Sequence, residues 1–574
     1  MSRYDKRPVV RISDDATLCT RGWPSIVERL LNPGVVCVEC YPGVPVDELI
    51  AAFRDSAPGV EVVNSGDFFR RPEAIEEVLA PTLGKDPVFA RLDPIGIELF
   101  LDDDAVEHWR ASRIAGRPTV VVGPGAAHIA ARTDVLVHVS MARRELQLRQ
   151  RRNLVGNLGL QNLDERPAEK YRRAFFVDWR VGDRIKHGLT RDLDFVIETN
   201  GRTPQMIDGD TYRAALARCV TRPFRVVPFF DAGPWGGQWM RMRFGLEDGP
   251  PNYAWCFDCV PEENSLLLGF GTHEFELPAI DLVFEESRPL LGEQVTARFG
   301  AEFPIRFDML DTMEGGNLSL QVHPQAVYAR DAFNLSYTQD ESYYLLDAAP
   351  DATVYLGLRD STDPVDFAAA LRSAQRGTAV LDVEQFVNHL PARKHDHFLI
   401  PAGTVHCSGR NAMVLEISAT PYIFTFKLWD WGRLGLDGRP RPIHLEHGLA
   451  NIDWTRREAF TRGELVNKIE PIDAGAGWRR ERTGLHPLEF IETERIWFEA
   501  TVDLCTDESV NVFNLVEGEA ALVESPSGAF EPFEVHYAET FIVPAAVGDF
   551  RLRAHAGDRA QCAVIRAFVR KQTE

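Results

Sequence analysis

The pattern of hydrophobic and polar positions changes once along the chain, near residue 222. Before that point, short apolar runs alternate with segments of helical spacing. VVCVEC (35–40) leads through the turn Tyr41-Pro42-Gly43 into VPVDELIAAFRD, whose apolar residues recur at helical intervals. TVVVGPGAAHIA (119–130) repeats that arrangement, and DVLVHVS (134–140) runs into the basic helical segment MARRELQLRQRR. FFVDWRVGDRIKHGL and LDFVIETN add further apolar runs. Strands alternating with helices predict an α/β domain over 1–215, a parallel sheet wrapped by crossover helices.

Beyond 222, short apolar runs with dense turn punctuation take over, as in NSLLLGFG, NLSLQVHP, SYYLLDA, ATVYLGL, HFLIPAGTVH and VNVFNLVEGEAALVES. They predict a barrel or double-sheet roll. PVDFAAALRSAQRG and VEQFVNHL read as helices, so a helical insertion is expected within the β region. A weak repeat relates HFLIPAGTVHCSGRNAMVLEI (397–417) to TFIVPAAVGDFRLRAHAGDRAQCAVI (540–565). With Pro401 laid on Pro544, His406 falls opposite Asp549. The expected domains are therefore 1–215, a metal-binding β domain over 216–480 with its insertion, and a metal-free β copy over 481–574.

Composition narrows the partners. The 574 residues carry 63 Lys+Arg against 85 Asp+Glu, a net charge of −22, which repels nucleic acid and anionic membranes. A small anionic ligand held by a few local cations remains open. Nine Cys spread over the chain argue against a disulfide framework, and the pairs Cys37/Cys40 and Cys256/Cys259 read as reduced, partly buried thiols. No apolar run approaches the roughly 18–20 residues of a membrane helix. The opening MSRYDKRPVVRISDD lacks the apolar core of a signal peptide, and the expectation is a cytoplasmic protein.

Gln321-Val322-His323 places two metal-ligand types two apart on one strand, hence on one face. Glu341 opens the next apolar run, and Pro401-x-Gly403-x-x-His406 is a turn that presents a histidine. One amide oxygen, two imidazoles and a carboxylate form a mixed N/O set suited to zinc or another divalent ion. NLSLQVHP, DESYYLLDA, YLGL and IPAGTVH, with PWGGQW (234–239) upstream, resemble the class I mannose-6-phosphate isomerases, cupin-fold zinc enzymes. The resemblance covers about 222–574 and is concentrated in 315–440.

The resemblance implies a double cupin (jelly roll), zinc on Gln321, His323, Glu341 and His406, and aldose–ketose isomerisation of a sugar or sugar phosphate. DWGRLGLDGRPRP resembles the family's R-A-G-L-T-P-K, which implies a catalytic Arg433 and a substrate-binding Arg439. Ser319 matches a phosphate-contacting serine, whereas Gln339 stands where the family has a phosphate-holding lysine, and Gln325-Ala326 stands where acidic residues are usual. The proton-transfer base is not identified; His395 and His397, in KHDHFLIP, are the candidates. The first domain loosely resembles P-loop nucleoside and uridine kinases, but CYPGVPVDEL and GPGAA lack the Lys and Ser/Thr of G-x-x-x-x-G-K-[ST], so degenerate chemistry is expected. Arg143, Arg144, Arg149, Arg151 and Arg152 read as a solvated basic face. Two other readings stand beside the isomerase: a metal-containing sugar-binding or regulatory cupin without turnover, and a bifunctional sugar kinase–isomerase.

Overall fold

The computed structural model describes residues 3–31, 34–114, 116–419, 423–484, 486–487, 489–555 and 561–571. The chain forms two compact units: Val9–Cys219 with Pro261–Glu286, and Met1–Pro8 with Val220–Val260 and Ser287–Glu574.

The first is an α/β unit. Its seven-stranded sheet runs Thr20–Arg21, Gln205–Asp208, Phe195–Glu198, Val135–Ser140, Val35–Cys40, Thr119–Gly123 and Glu61–Asn64. The last five of these are mutually parallel. Numbered along the chain and read from the Glu61 edge, their order is 2-3-1-4-5. The central strands read as unbroken valine-rich runs because crossover helices cover both faces, and Val36, Val38, Val120, Val121, Val122 and Val137 are buried. The hairpin Ser265–Phe270 and His273–Pro278 also belongs to this unit, joined in parallel to Val9–Ser13 with Val9 opposite Leu267. A boundary at 215 assigned this hairpin to the β region. Its alternation alone does not distinguish the two hosts.

The second unit holds two double-sheet β structures. In the first, one sheet is ordered His397–Ile400, Glu341–Ala348, Ala412–Ala419, Ile305–Asp311, Trp255–Cys259, Phe229–Asp231. The other is ordered Val387–Pro391, Thr353–Leu358, His406–Ser408, Leu320–Val322, Phe426–Trp429. The expected helix PVDFAAALRSAQ forms over Pro364–Gln375, where the Asp363 side chain accepts from the Val365 and Asp366 N–H groups and Pro364 takes the first turn. VEQFVNHL, by contrast, is one 3-10 turn and then the edge strand Val387–Pro391, paired with Thr353–Leu358. Partnering on a sheet edge overrides the short helical pattern there.

The repeat is a repeat of topology. Thr540–Val543, Asn511–Glu517, Cys562–Val569 and Ile491–Phe498 follow one another in the order of His397–Ile400, Glu341–Ala348, Ala412–Ala419 and Ile305–Asp311. On the opposing sheets, Thr501–Cys505 next to Asp549–Ala554 stands as Leu320–Val322 does next to His406–Ser408.

Candidate metal centre

Three adjacent strands of the five-stranded sheet set one row of the site. Gln321 lies opposite His406 on one side and Lys427 on the other, so the three side chains share a face. His323 follows two residues after Gln321. Glu341, at the start of the second strand of the other sheet, meets these residues inside the roll. His323 Nε2 stands 3.1 Å from Glu341 Oε2 and His406 Nε2 stands 2.9 Å from Glu341 Oε1, with all three side chains at most 1% exposed. Their candidate ligand atoms lie within 4.8 Å of one another, and among the described residues this is the one such group of His, Cys, Asp and Glu. The thiols of both C-x-x-C pairs are buried and form no disulfide.

The hydrogen bonds behind the imidazoles give the group its chemistry. His406 Nδ1 lies 2.9 Å from the Thr404 carbonyl and His323 Nδ1 lies 3.3 Å from that of Phe424. A carbonyl only accepts, so each Nδ1 carries the proton and each Nε2 turns a bare lone pair into the pocket. His323 Nε2 and Glu341 Oε1 have no aligned hydrogen-bond partner among the described residues. Leaving such buried groups unsatisfied costs roughly 1–3 kcal/mol each, and a divalent ion would satisfy them together. The Gln321 amide lies 3.2 Å from His406 Nε2; turned over, it offers its oxygen to the same point. The donor set fits the ion that the sequence implies. The turn that delivers His406 needs Gly403, at φ +88, where a Cβ would stand 3.1 Å from the Asn451 carbonyl.

Around this centre lie Gln339, Ser319 and Arg433, which the sequence singled out, and Arg306, Asp308, Glu416, Lys427, Asp430 and Arg441, which it did not. Gln339 Nε2 donates to Glu341 Oε2 at 2.9 Å and lies 3.4 Å from Glu416 Oε1. Arg306 binds Glu416, donates to Ser418 at 2.8 Å and stands 3.6 Å from Asp308. Burial pushes the Asp308 carboxyl up to about 6, with Arg306 opposing and Glu341 adding to the rise. On the other sheet, Asp430 gathers Ser319 (2.9 Å), Arg433 (2.7 Å) and Arg441 (2.9 Å), and Arg441 also donates to Ser319 Oγ at 3.0 Å. Lys427 is half-buried, and its Nζ has no hydrogen-bond or ion-pair partner among the described residues. Burial, then Arg441 and Arg433 against Asp430, push its ammonium down to about 7. The available signal was a charge within apolar alternation, as in IRFDML, MVLEIS and FTFKLWDW.

Ser319, Gln321, His323, Gln339, Glu341, His406 and Arg433 are thus placed in or beside the pocket. Arg439 is exposed in a surface turn, and Arg441 is the arginine that reaches Ser319. His395 and His397 require correction. His397 lies opposite Tyr344, one residue out of phase with Glu341 and Tyr343, so it faces the other side of the sheet. His395, at φ 73, contacts Tyr344 Oη at 2.8 Å and Glu517 at 3.0 Å. His395 sits in the turn before the strand and, like His397, packs against Tyr344, on the side away from His323, Glu341 and His406.

In the α/β unit, the carboxylate of Glu39, at the end of Val35–Cys40, accepts from the N–H groups of Gly125 (2.7 Å) and Ala127 (2.8 Å). Burial pushes it up to about 7 against those two bonds. Arg143 is not solvated: it is 4% exposed, lies 4.2 Å over the Trp179 ring and donates to Tyr41 Oη at 3.0 Å. Lys186 and Asp281 form a fully buried pair at 2.5 Å. No helix among the described residues is long and apolar enough to cross a membrane.

Residues 22–221 match the model of a domain of unknown function, DUF8485. The putative mannose-6-phosphate isomerase YvyI of Bacillus subtilis is 22% identical over 339 residues, 58% of this chain and 96% of that protein. Mannose-6-phosphate isomerase ManA of the same organism is 25% identical over 339 residues, 59% of this chain and 98% of that one. A solved mannose 6-phosphate isomerase from Bacillus subtilis aligns over 60% of this chain and 99% of its own, at 20% identity and a TM-score of 0.48.

Proposed function

We propose that this chain is a metal-dependent aldose–ketose isomerase of the mannose-6-phosphate isomerase kind, acting on a sugar or sugar phosphate. The observation that carries the reading is the convergence of two Nε2 lone pairs and one carboxylate, with both Nδ1 protons tied to backbone carbonyls. The names of its relatives favour the same chemistry. Gln321, His323, Glu341 and His406 would hold the ion, and their mixed N/O donor set suits zinc. When bound, it supplies Lewis-acid polarisation of the carbonyl and the adjacent hydroxyl.

The residues of the chain do the rest. Gln339 fixes the Glu341 carboxylate through its amide, and Asp430 holds the Arg433 guanidinium beside Ser319. Lys427 and Asp308 are the interior groups with proton affinities shifted towards neutrality, which suits proton movement between C1 and C2. We assign residues 1–215 a kinase-like fold without phosphotransfer. The 2-3-1-4-5 strand order supports the first part, and the missing Lys at CYPGV supports the second.

The test pairs elemental analysis of the purified chain with an isomerisation screen of free and phosphorylated hexoses and pentoses. About one divalent ion per chain and interconversion of at least one aldose–ketose pair are expected. A metal-loaded chain that interconverts none of them is a binding protein, and the isomerase reading then fails.

A further inference from the structure

The inner face of the sheet that carries Glu341 is polar for two rows and then apolar. Strand register sets the rows: Arg306, Ser418 and Glu341 lie abreast, then Asp308, Glu416 and Tyr343, then Leu310, Val414 and Leu345. Residues two apart on a strand share a face, so the second row lines the same interior as Glu341. Asp308, Gln339 and Tyr343 are at most 3% exposed. Even so, Asp308 Oδ1, Gln339 Oε1 and Tyr343 Oη have no aligned hydrogen-bond partner among the described residues. Native interiors leave few such atoms. Three on one wall are what a ligand pocket presents.

The bonds around them fix what these atoms can offer. Arg306 is turned onto Glu416 and Ser418 (2.8 Å), and its Nε stands 3.6 Å from Asp308 Oδ1, too far for a hydrogen bond. The Gln339 amide nitrogen donates to Glu341 at 2.9 Å and lies 3.4 Å from Glu416. Carboxylates only accept, so the amide oxygen is the end left over. Two open acceptors and a phenol call for a partner rich in donors. A phosphate oxygen would instead meet the Asp308 and Glu416 carboxylates in a buried setting, where like charges repel. Hydroxyls both donate and accept, so a chain of them satisfies all three atoms and brings no charge.

We infer that the Asp308–Glu416–Tyr343 row reads the uncharged hydroxyl chain of the substrate sugar. Asp308 Oδ1 and Gln339 Oε1 accept from its hydroxyls, and Tyr343 Oη bonds to a third. Asp308 and Tyr343 are then specificity-determining residues. The inference rests on the isomerase reading for the identity of the substrate, but its test needs no turnover.

A linear hexitol, which has no carbonyl to isomerise, is titrated calorimetrically into the metal-loaded full chain. It is titrated likewise into Tyr343→Phe, Asp308→Asn and Asp308→Leu proteins of equal measured metal content, with the hexitol 6-phosphate and an aminodeoxyhexitol beside it. Tyr343→Phe removes one neutral hydrogen bond and should weaken hexitol binding about two- to ten-fold. Asp308→Leu removes a charge-assisted one and should weaken it about ten- to a hundred-fold. Asp308→Asn keeps an acceptor of the same shape and should fall between wild type and Asp308→Leu. Should Asp308→Leu fail to fold by circular dichroism, the Asp308→Asn and Tyr343→Phe pair carries the comparison.

Equal hexitol affinity in all four proteins, or none in wild type, overturns the inference, because ordered water then holds the open atoms. Tighter binding of the phosphate ester to Asp308→Asn than to wild type also overturns it, since that places an anion against this wall. So does an aminodeoxyhexitol that binds wild type more tightly than the hexitol. Hexitol binding that responds at both positions in a chain that isomerises nothing upholds the hydroxyl-reading row and sinks the isomerase reading. Isomerase activity with hexitol binding indifferent to both positions does the reverse.

Discussion

The two β rolls share a strand order and differ in what fills the same interior positions. In the first, Asp308, Glu416 and Tyr343 lie abreast on three adjacent strands; in the second, Glu494, Arg566 and Phe513 take those places. Glu341 opens its strand as Asn511 opens the equivalent one, and the pair Gln321/His406 corresponds to Cys505/Asp549. The outcome is opposite. Arg566, 1% exposed, donates to Asn511, to the Cys505 carbonyl (2.8 Å) and to Asp507 (3.1 Å), and stands 3.4 Å from Glu494. A guanidinium thus supplies positive charge inside the second roll, where the first, on the proposed function, would take it from an ion. The rest of that interior is closed by apolar packing, including the stacked Phe513 and Phe541 rings at 5.1 Å. The α/β unit shows the same device with the sign reversed, since the Glu39 carboxylate occupies the N–H groups of Gly125 and Ala127 that an anion would use. Satisfaction by the chain's own side chains separates the structural regions from the one that leaves lone pairs open.

The comparison can be broken most directly at the ion. Single His323→Ala and His406→Ala changes each remove one of the proposed ligands. Even outer partners of a metal site are worth about 10–100-fold in affinity, so each variant should lose its ion to a mild chelator that leaves wild type loaded. Elemental analysis after dialysis reads this, and full retention of metal by both variants would mean that the site lies elsewhere.

The next largest effect is expected in the second roll. Arg566→Met leaves Glu494 without its buried partner, and breaking such a pair costs about 3–5 kcal/mol. The urea midpoint should fall while metal content stays the same. Adding Glu494→Leu should recover much of the loss; if the double variant is no better than the single, Arg566 matters through packing and not through charge.

Glu39 extends the test to the α/β unit through pH. Its folded value of about 7 lies above the ordinary 4.5, so the folded state binds more protons between the two. Stability from this group is therefore fully present below about pH 4.5 and is lost as pH rises through about 7, a span worth about 3 kcal/mol. Glu39→Gln should flatten that part of the urea-midpoint profile between pH 5 and 8. An unchanged slope would show that Glu39 titrates normally.

The smallest expected signal is from ATP. With no Lys at CYPGV and the Gly125 and Ala127 N–H groups already bonded, the full chain should release no ADP above background, with or without a sugar. Sugar-dependent ADP release would restore the kinase–isomerase alternative.

How much was legible without coordinates follows from the range of each interaction. The parallel sheet, the doubled β region and the residues Gln321, His323, Glu341 and His406 were readable because alternation, turn residues and ligand types act over a few neighbouring positions. Period-2 alternation also says that two residues share a face, but not which face is inside. His397 faces away from the buried cluster because it pairs with Tyr344 and not with Tyr343, and His395, in the turn before it, packs on the same side. The two arginines of GRPRP are indistinguishable by spacing, and only the path of the turn sends Arg441 to Ser319 and leaves Arg439 in solvent. Strand pairing brought Lys427 alongside Gln321 across more than a hundred residues, and placed Glu416 between Asp308 and Tyr343. Local chemistry singled out the residues that meet in the buried cluster. The register of distant strands decided which charges surround them, because burial and pairing energies depend on neighbours that the order of residues does not specify.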